Sequence, residues 1–513
     1  MKKYPGESGI VISKLMNVLL IYPESPATFF SFKHALKFIS KKAVEPPLGL
    51  LTVSAMLPKH WQKKLVDLNV TSLDTDDFNW ADYIFISAMI IQKDSVREIV
   101  KQAKSYNVRI VAGGPLFTHE TENYPGVHHF VLNEAEITLP LFLADLENGN
   151  PKRIYKTEKF ADISTMPVPE FHLLNKKAYA SMSIQISRGC PFKCEFCEIP
   201  IIHGNKVRIK SKEQVIQELD AILQFGWKGT VSIVDDNFIG DKRYVKTELL
   251  PAIINWMQNH KYPFVFNVQT SANIADDKEL MSLMVQAGIQ STFIGIETLS
   301  EESLQTSKKV QNRNRDMLLS VIKIQKAGLL VSGGFIVGFD SDTPEVFKQI
   351  TGFIQQSGIV WAMVGMLNAP KNTKLYRRLK KENRLTSDMT GNNTDYSLNF
   401  IPNMDLNLLM DGYNSIVHDI YSDRSYYKRL RQMMINYQPV NYGKIQIDHY
   451  YFMGFIKSIY YLGIRNRGQI EYWKFLYWTI IKKRRLFLHG IMFAICGYHF
   501  RKIYGINFIK PRN

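Results

Sequence analysis

The side chains best equipped for chemistry are gathered in one stretch, SRGCPFKCEFCEIP (187–200), where Cys190, Cys194 and Cys197 stand in a C-x3-C-x2-C spacing. Only one further cysteine, Cys496, occurs in 513 residues, so the sequence carries no disulfide framework. Three thiolates from a single turn suit a soft metal. With a fourth nearby ligand they make a tetrahedral zinc site, and His203 is close enough in sequence to complete a Cys3His set. Without one they hold an iron–sulfur cluster whose remaining iron stays open to a substrate or cofactor. Cys496, in the apolar context FAICGY, reads as a small buried hydrophobe with no part in the chemistry.

The chain is too long for one ordinary core and implies several domains, and its 45% hydrophobic and 12% aromatic fractions exclude a disordered protein. Residues 1–150 alternate short apolar runs with helical patterns. NVLLIYP, KKLVDLNV, DYIFISA, VRIVAGGP and HHFVLNE predict five strands, with LGLLTVSAML, SVREIVKQAKSY and TLPLFLADLEN as helices. That order implies an α/β, doubly wound parallel sheet whose ligands bind beyond the carboxyl ends of the strands. Ser87, Gly113, Gly114 and Glu134 fall there and are candidate contacts. A doubly wound domain without a cofactor fits the same pattern.

A proline-bearing linker, 151–179, leads to a second domain over 180–385. SMSIQIS, TVSIVDD, PFVFNVQT, STFIGIE, LVSGGFIVGFD and IVWAMVGML predict six strands with helices between, a partial TIM-like (β/α)6 barrel. Chemistry in such barrels lies at the carboxyl ends of the strands. The cysteine loop, Asp235-Asp236-Asn237, Gln269-Thr270, Glu297 and Gly338-Phe339-Asp340 all fall at those ends. A thiolate loop at a barrel mouth favours the cluster over a zinc finger.

The cysteine spacing after a first barrel strand, with aromatic Phe196 before the last cysteine, resembles the radical SAM enzymes. The resemblance implies a [4Fe–4S] cluster held by Cys190, Cys194 and Cys197. Its open iron would take the amino and carboxylate groups of S-adenosyl-L-methionine, whose reductive cleavage gives a 5′-deoxyadenosyl radical. It further implies that Phe196, Asp235, Asp236, Gln269, Glu297 and Gly338 lie around S-adenosylmethionine, and that an external donor of flavodoxin or ferredoxin type reduces the cluster. VDDNF replaces the usual Gly-Gly-Glu, which would put Asp235 and Asp236 near the methionine amino group. GFIVGFD (334–340) resembles the motif along the adenine. Helix caps and rim salt bridges are the bland alternatives for these carboxylates.

Residues 17 to 430 also resemble the cobalamin-binding subgroup of that family, through EPPLGLL (45–51) in the first domain. NAPKNTKLYRRLKKENRL, YSLNFIPNMD and GYNSIVHDIYSDRSYYKRL resemble the branch containing hopanoid C-2 methylases. The resemblance implies cobalamin in the first domain, methyl transfer to an unactivated carbon, and an apolar lipid- or isoprenoid-like substrate. Asn69 stands where a cobalt-ligating histidine would be, and an amide offers no imidazole nitrogen, so cobalamin is expected without a histidine lower ligand. Radical cyclisation or rearrangement without methyl transfer is the alternative. A methylthiotransferase is disfavoured, because no second cysteine trio is present.

Residues 386–513 form a basic, aromatic and mainly helical region. From Asn441 onward, 13 Lys and Arg face only Asp448 and Glu471. No run reaches the roughly 20 apolar residues that span a bilayer. The start of the chain lacks the pattern of a secretory signal, so a cytoplasmic protein is expected. Basic tails bind nucleic acid, which makes an RNA-modifying enzyme an alternative. Interleaving with Trp473, Phe475, Leu476, Tyr477, Trp478 and Ile480 instead suits peripheral contact with the inner face of a membrane. A solvated helical cap fits equally well.

Overall fold

The computed structural model describes residues 15–392, 394–440 and 449–506. The first fourteen residues and the end of the basic tail, with Asp448 and Arg512, lie outside the described residues. Two compact units emerge: one contains Pro47–Asn175 with the residues up to Ser25, and the other contains Pro26–Pro46 with Lys176 onward.

The first unit is a parallel six-stranded sheet in the order β2-β1-β3-β4-β5-β6. Its strands are β1 (Asn17–Tyr22), β2 (Gln62–Asp67), β3 (Tyr83–Ser87), β4 (Arg109–Gly113), β5 (His129–Val131) and β6 (Ile154–Tyr155). Strand side chains alternate between two cores, which is why the strands read as continuous apolar runs. Leu19, Ile21, Ile84, Ile86, Ile110 and Ala112 enter one core. Val18, Leu20, Tyr83, Phe85 and Val111 enter the other. The five expected strands are present; the sixth comes from the linker and is only two residues long.

The second unit holds all six expected barrel strands, parallel and in the order β14-β13-β12-β11-β10-β7. These are β7 (Met182–Ile184), β10 (Gly229–Ile233), β11 (Phe264–Thr270), β12 (Ile289–Glu297), β13 (Leu330–Val337) and β14 (Ala362–Met366). A two-residue antiparallel pair, β8 (Ser187–Arg188) and β9 (Arg208–Ile209), interrupts the series. β7 and β14 do not pair, so the barrel has two open edges.

Open edges present unpaired backbone groups that must be covered. On β14, the hydroxyl of Tyr421 donates to the Ala362 carbonyl at 2.7 Å and that of Tyr413 to Val364 at 3.2 Å. Both tyrosines belong to the helix Leu406–Tyr421, so the C-terminal region seals this edge. Beside β7 the cover is a strap, Pro26–Pro46, that in sequence falls within the first domain. Lys42 N–H donates to Ala178, Ala180 N–H to Ala43 and Ser181 N–H to Val44, at 2.8 to 3.0 Å. The strap thereby runs parallel to the chain entering β7. At its other end Phe32 packs on Trp361, just before β14, and Phe29 stacks on Phe500 at 4.3 Å. Buried His499 lies 3.1 Å from the carbonyls of Thr28 and Phe29, and burial lowers its pKa to about 4.

The strap should therefore exchange with the barrel. Amide hydrogen exchange is expected to protect Lys42, Ala180 and Ser181 together. Ala43→Pro deletes the Ala43 N–H bond to Ala178 and should speed exchange at Ala180 and Ser181 without affecting β2.

Candidate active site

The cysteine loop is a closed excursion whose stem is the β8–β9 pair, Ser187 against Ile209 and Arg188 against Arg208. Two carboxylates just beyond β10 fasten it. Buried Asp235 accepts the Ile186 N–H at 2.7 Å and the Ser187 hydroxyl at 2.6 Å. Asp236 accepts the Gly189 N–H at 2.8 Å, and His203 Nδ1 lies 2.9 Å from the same oxygen. Gly189 has φ +95°, and a Cβ there would stand 2.6 Å from the Lys206 carbonyl, so the turn into Cys190 requires glycine. Burial pushes the Asp235 carboxyl up to about 6 against the pull of its hydrogen bonds.

Two further contacts hold the middle of the loop. Glu195 N–H donates to the Ser307 carbonyl at 2.8 Å, and Leu375 N–H donates to the Glu195 carbonyl at 3.1 Å. Arg378 joins Glu195 (2.9 Å) to Asp340 after β13 (2.7 Å), and Arg384 reaches Asp340 at 2.6 Å. Burial would raise the Asp340 pKa, but the two guanidiniums outweigh it and lower it. The sequence offered no sign of this role for Arg378, which sits on a helix, Lys374–Lys381, beyond the last barrel strand.

Cys194 is buried and Cys190 and Cys197 partly so. Burial raises the Cys190 thiol pKa and pushes Cys197 to about 12. Among the described residues no three His, Cys, Asp or Glu side chains converge on a point that would hold a single metal ion. His203 is turned to Asp236 rather than to the thiols. A cubane cluster uses one thiolate per iron and needs no such convergence, so the donor set fits a [4Fe–4S] cluster. Beside the trio lies buried Lys309, 2.6 Å from Glu297 and 6.0 Å from the Phe196 ring centroid. Burial opposes its charge, but Glu297 and the neighbouring thiols more than compensate and raise its pKa. Glu297 adopts φ +64°, rare for a residue with a side chain. Gly295 makes that fold-back possible, since a Cβ there would collide with the Glu297 carboxylate.

Beside the middle of the loop a cavity of about 440 Å³ is lined by Phe196, Phe339, Leu367, Ser341, Thr306 and Arg378. Phe196 and Phe339 meet edge to face at 6.0 Å. Gly338, at φ +99°, and Phe339 both donate N–H to Asp342, at 2.8 and 3.0 Å. Gln269 is exposed and its amide is 3.4 Å from the Asp236 carbonyl. The trio, Phe196, Asp235, Asp236, Gln269, Glu297 and Gly338 thus all lie at the carboxyl ends of barrel strands. The oxygens of Asp235 and Asp236 are directed at the loop.

Inside the barrel, β11 and β12 alternate buried and accessible positions, so their inner face is not packed shut. Ser183, Ser232, Asn267 and Ser291 are direct neighbours across β7, β10, β11 and β12. Asn267 accepts the Ser291 hydroxyl at 2.7 Å. Glu45 of the strap faces the Ser232 and Ser183 hydroxyls; burial raises its carboxyl pKa and the two hydroxyls pull it back. One step further along β12 and on the same face as Ser291, Phe293 meets Phe30 of the strap at 5.8 Å.

In the first unit, Ser87 and Gly113 pair at the ends of β3 and β4. A Cβ at Gly113 would stand 2.6 Å from the Val131 carbonyl. Gly114, at φ +91°, would put one 2.9 Å from Ser87 Oγ. Glu134, beyond β5, is buried and accepts the Ala161 N–H. The four candidates therefore share one end of the sheet. Asn69 is fully engaged there: its amide donates to Asp67 at 2.8 Å and Pro23 at 3.2 Å, and accepts the Ser25 N–H at 2.9 Å.

Comparison with known proteins agrees with both halves. Residues 184–354 match the radical SAM superfamily, 38–143 the B12 binding domain, and 373–507 a domain of unknown function (DUF4070). An uncharacterised methyltransferase of Synechocystis sp. is 43% identical over 81% of this chain and 78% of its own. The hopanoid C-2 methylase of Rhodopseudomonas palustris is 31% identical over 91% of this chain and 89% of its own.

The chain belongs to the B12-binding radical SAM family.

Among solved structures, the cobalamin-dependent S-adenosylmethionine radical enzyme OxsB, with aqua-cobalamin and S-adenosylmethionine bound, superposes with a TM-score of 0.62 at 17% identity. It spans 95% of this chain and 80% of that one, and shares the fold. The B12-binding radical SAM assignment makes this chain a cobalamin-dependent methyltransferase that uses a [4Fe–4S] cluster and S-adenosylmethionine. Among the described residues no helix is long and apolar enough to cross a membrane.

Two outcomes follow from the loop. The folded chain holds the Asp235 proton up to about pH 6, whereas the unfolded chain releases it near 3.8. Stability from this group is therefore complete below about pH 4 and lost as pH rises to 6, on the order of 2–3 kcal/mol. Urea unfolding across that range should show the slope in the parent and a flatter one in Asp235→Asn. Arg378→Met, by releasing Glu195 and Asp340, should lower the iron retained after anaerobic reconstitution while leaving the thermal unfolding of the first unit unchanged.

Proposed function

We propose that this enzyme methylates an unactivated carbon of an apolar, lipid- or isoprenoid-like substrate seated in the barrel interior. When bound, the cluster with S-adenosylmethionine supplies a radical able to remove hydrogen from an inert C–H bond, and methylcobalamin supplies the methyl group. Cys190, Cys194 and Cys197 would hold the cluster. Asp235 and Asp236 fix the loop that carries them; Phe196 and Phe339, which line the cavity, and Gly338 beside Phe339 would lie along the adenosyl group. Glu297 with Lys309 and Gln269 would complete the polar rim around it. Ser87, Gly113, Gly114 and Glu134, at one end of the first sheet, would receive cobalamin. Asn69, locked among Asp67, Pro23 and Ser25, would offer a bound cobalamin no side-chain ligand from that position. An external flavodoxin- or ferredoxin-type donor would supply electrons.

The observation that carries the substrate class is the barrel's inner face, where the aromatic pair Phe30 and Phe293 adjoins the row Ser183, Ser232, Asn267 and Ser291. It suits a mainly apolar body with a neutral hydrogen-bonding group. The similarity to the hopanoid methylase over nearly its whole length supports the same reading.

Anaerobically reconstituted enzyme, incubated with bacterial lipid extract and methyl-labelled S-adenosylmethionine, should place label in a lipid-soluble product. Cys194→Ala should give none. Phe293→Ser should raise KM for the lipid about tenfold, the scale of a lost apolar contact, with little change in KM for S-adenosylmethionine. Cleavage of S-adenosylmethionine without label in any product would replace methyl transfer by cyclisation or rearrangement. Added hydroxocobalamin should bind with the spectrum of a cobalt lacking an imidazole ligand.

A further inference from the structure

The C-terminal region carries a helical hairpin whose outer face has no protein partner among the described residues. In the helix Gln469–Lys482, Tyr472, Phe475, Leu476 and Thr479 are buried against the rest of the unit. The opposite side presents Ile470, Trp473, Tyr477, Ile480 and Ile481 to solvent, with Tyr477 70% and Ile470 63% exposed. The positions follow the helical repeat, so the helix is apolar on both its inner and its outer face. A helix of that kind is ordinarily buried on all sides.

The preceding element repeats the feature. Phe452, Met453 and Ile456 on His449–Ser458, then Tyr460 and Ile464 on the π-helical turn Ile459–Ile464, are exposed. A strict α-helix would rotate a four-residue repeat out of line, and the wider π turn restores it. The two stripes join at Trp473, whose indole N–H donates to the Gly463 carbonyl at 2.9 Å. Only glycine permits that contact, since a Cβ at 463 would stand 2.9 Å from the ring. On the inner side, the Ser458 hydroxyl is 2.8 Å from that of Tyr472 and ties the helices together.

Charge selects the occupant. Between residues 449 and 506 the sequence has ten Lys and Arg and one acid, Glu471. Lys457 is turned inward to the Lys37 carbonyl at 2.8 Å. Arg465, Arg467, Lys474, Lys482, Arg484 and Arg485 are exposed around the apolar stripes. A second copy of this chain would bring the same positive rim against it and be repelled. A bilayer with acidic headgroups offers hydrocarbon to the aromatic face and anions to the rim.

We propose that this hairpin face is a docking surface for an anionic lipid bilayer, on which the enzyme rests without crossing it. The proposal holds whatever the methyl acceptor is, because its test uses no substrate. The full chain should sediment with vesicles of phosphatidylcholine and phosphatidylglycerol, weakly with phosphatidylcholine alone, and less at raised salt. The triple variant Ile470→Ser, Tyr477→Ser, Ile481→Ser changes only solvent-facing side chains. It should lose vesicle binding about tenfold or more, as burial of apolar area at an interface implies, with an unaltered melting transition. Arg484→Glu with Arg485→Glu should lose the preference for acidic vesicles. The proposal is overturned if the parent stays in the supernatant, or if the triple variant sediments as well as the parent. It is overturned equally if lipid-free parent is a dimer that the triple variant converts to monomer, which would make the face a self-interface.

Discussion

Everything this enzyme does depends on immobilising one loop. Three thiols must present themselves to one cluster, yet the chain between them, Pro191 to Phe196, has no regular structure of its own. Two carboxylates at the end of β10 supply the restraint, Asp235 on the Ile186 N–H and Ser187 hydroxyl and Asp236 on the Gly189 N–H. Charge-accepting bonds to backbone are strong and directional, and burying the Asp235 carboxyl makes it intolerant of any change in its donors. The β8–β9 stem fixes where the loop leaves and returns. Arg378 and Ser307 hold its centre.

The same logic explains elements that would otherwise look peripheral. A six-stranded barrel keeps its mouth and interior open, which a closed eight-stranded one fills with side chains. The consequence is two exposed edges. The tyrosines of Leu406–Tyr421 cover β14, and the strap Pro26–Pro46 covers the approach to β7 while bringing Phe30 and Glu45 to the inner face. Edge protection and the lining of the barrel interior are thus performed by one segment. The helix that carries Arg378 likewise ties the C-terminal region to the cluster loop.

Much of this was legible in the sequence, for physical reasons. Each long strand announced itself by a short apolar run, and all six barrel strands stand where those runs lie. The spacing of Cys190, Cys194 and Cys197 is local, so no tertiary knowledge was needed to find it. What escaped was non-local or very short. β6, β8 and β9 have two residues each and carry no period. The strap pairs Ala43 with Tyr179, a contact that neither segment signals. Asp235 and Asp236 were expected to face a ligand, while the structure directs their oxygens to the loop. Lys309 and Arg378 are ordinary basic residues in sequence, and only the fold brings one to Glu297 and the other to Glu195. In the tail, composition suggested an interface, but the inner and outer faces of an apolar helix cannot be told apart without its neighbours. Phe475 and Leu476 are buried, and Ile470 and Ile481 are not.

The central claim is that the fastened loop holds a [4Fe–4S] cluster with one iron open to S-adenosylmethionine. Electron–nuclear double resonance on the reduced, reconstituted protein tests it most directly, using S-adenosylmethionine labelled with nitrogen-15 at the amino group and oxygen-17 at the carboxylate. The account predicts a cluster signal that changes on adding S-adenosylmethionine and shows hyperfine coupling to both labels. A cluster signal indifferent to S-adenosylmethionine, or stoichiometric zinc in place of iron, would contradict it.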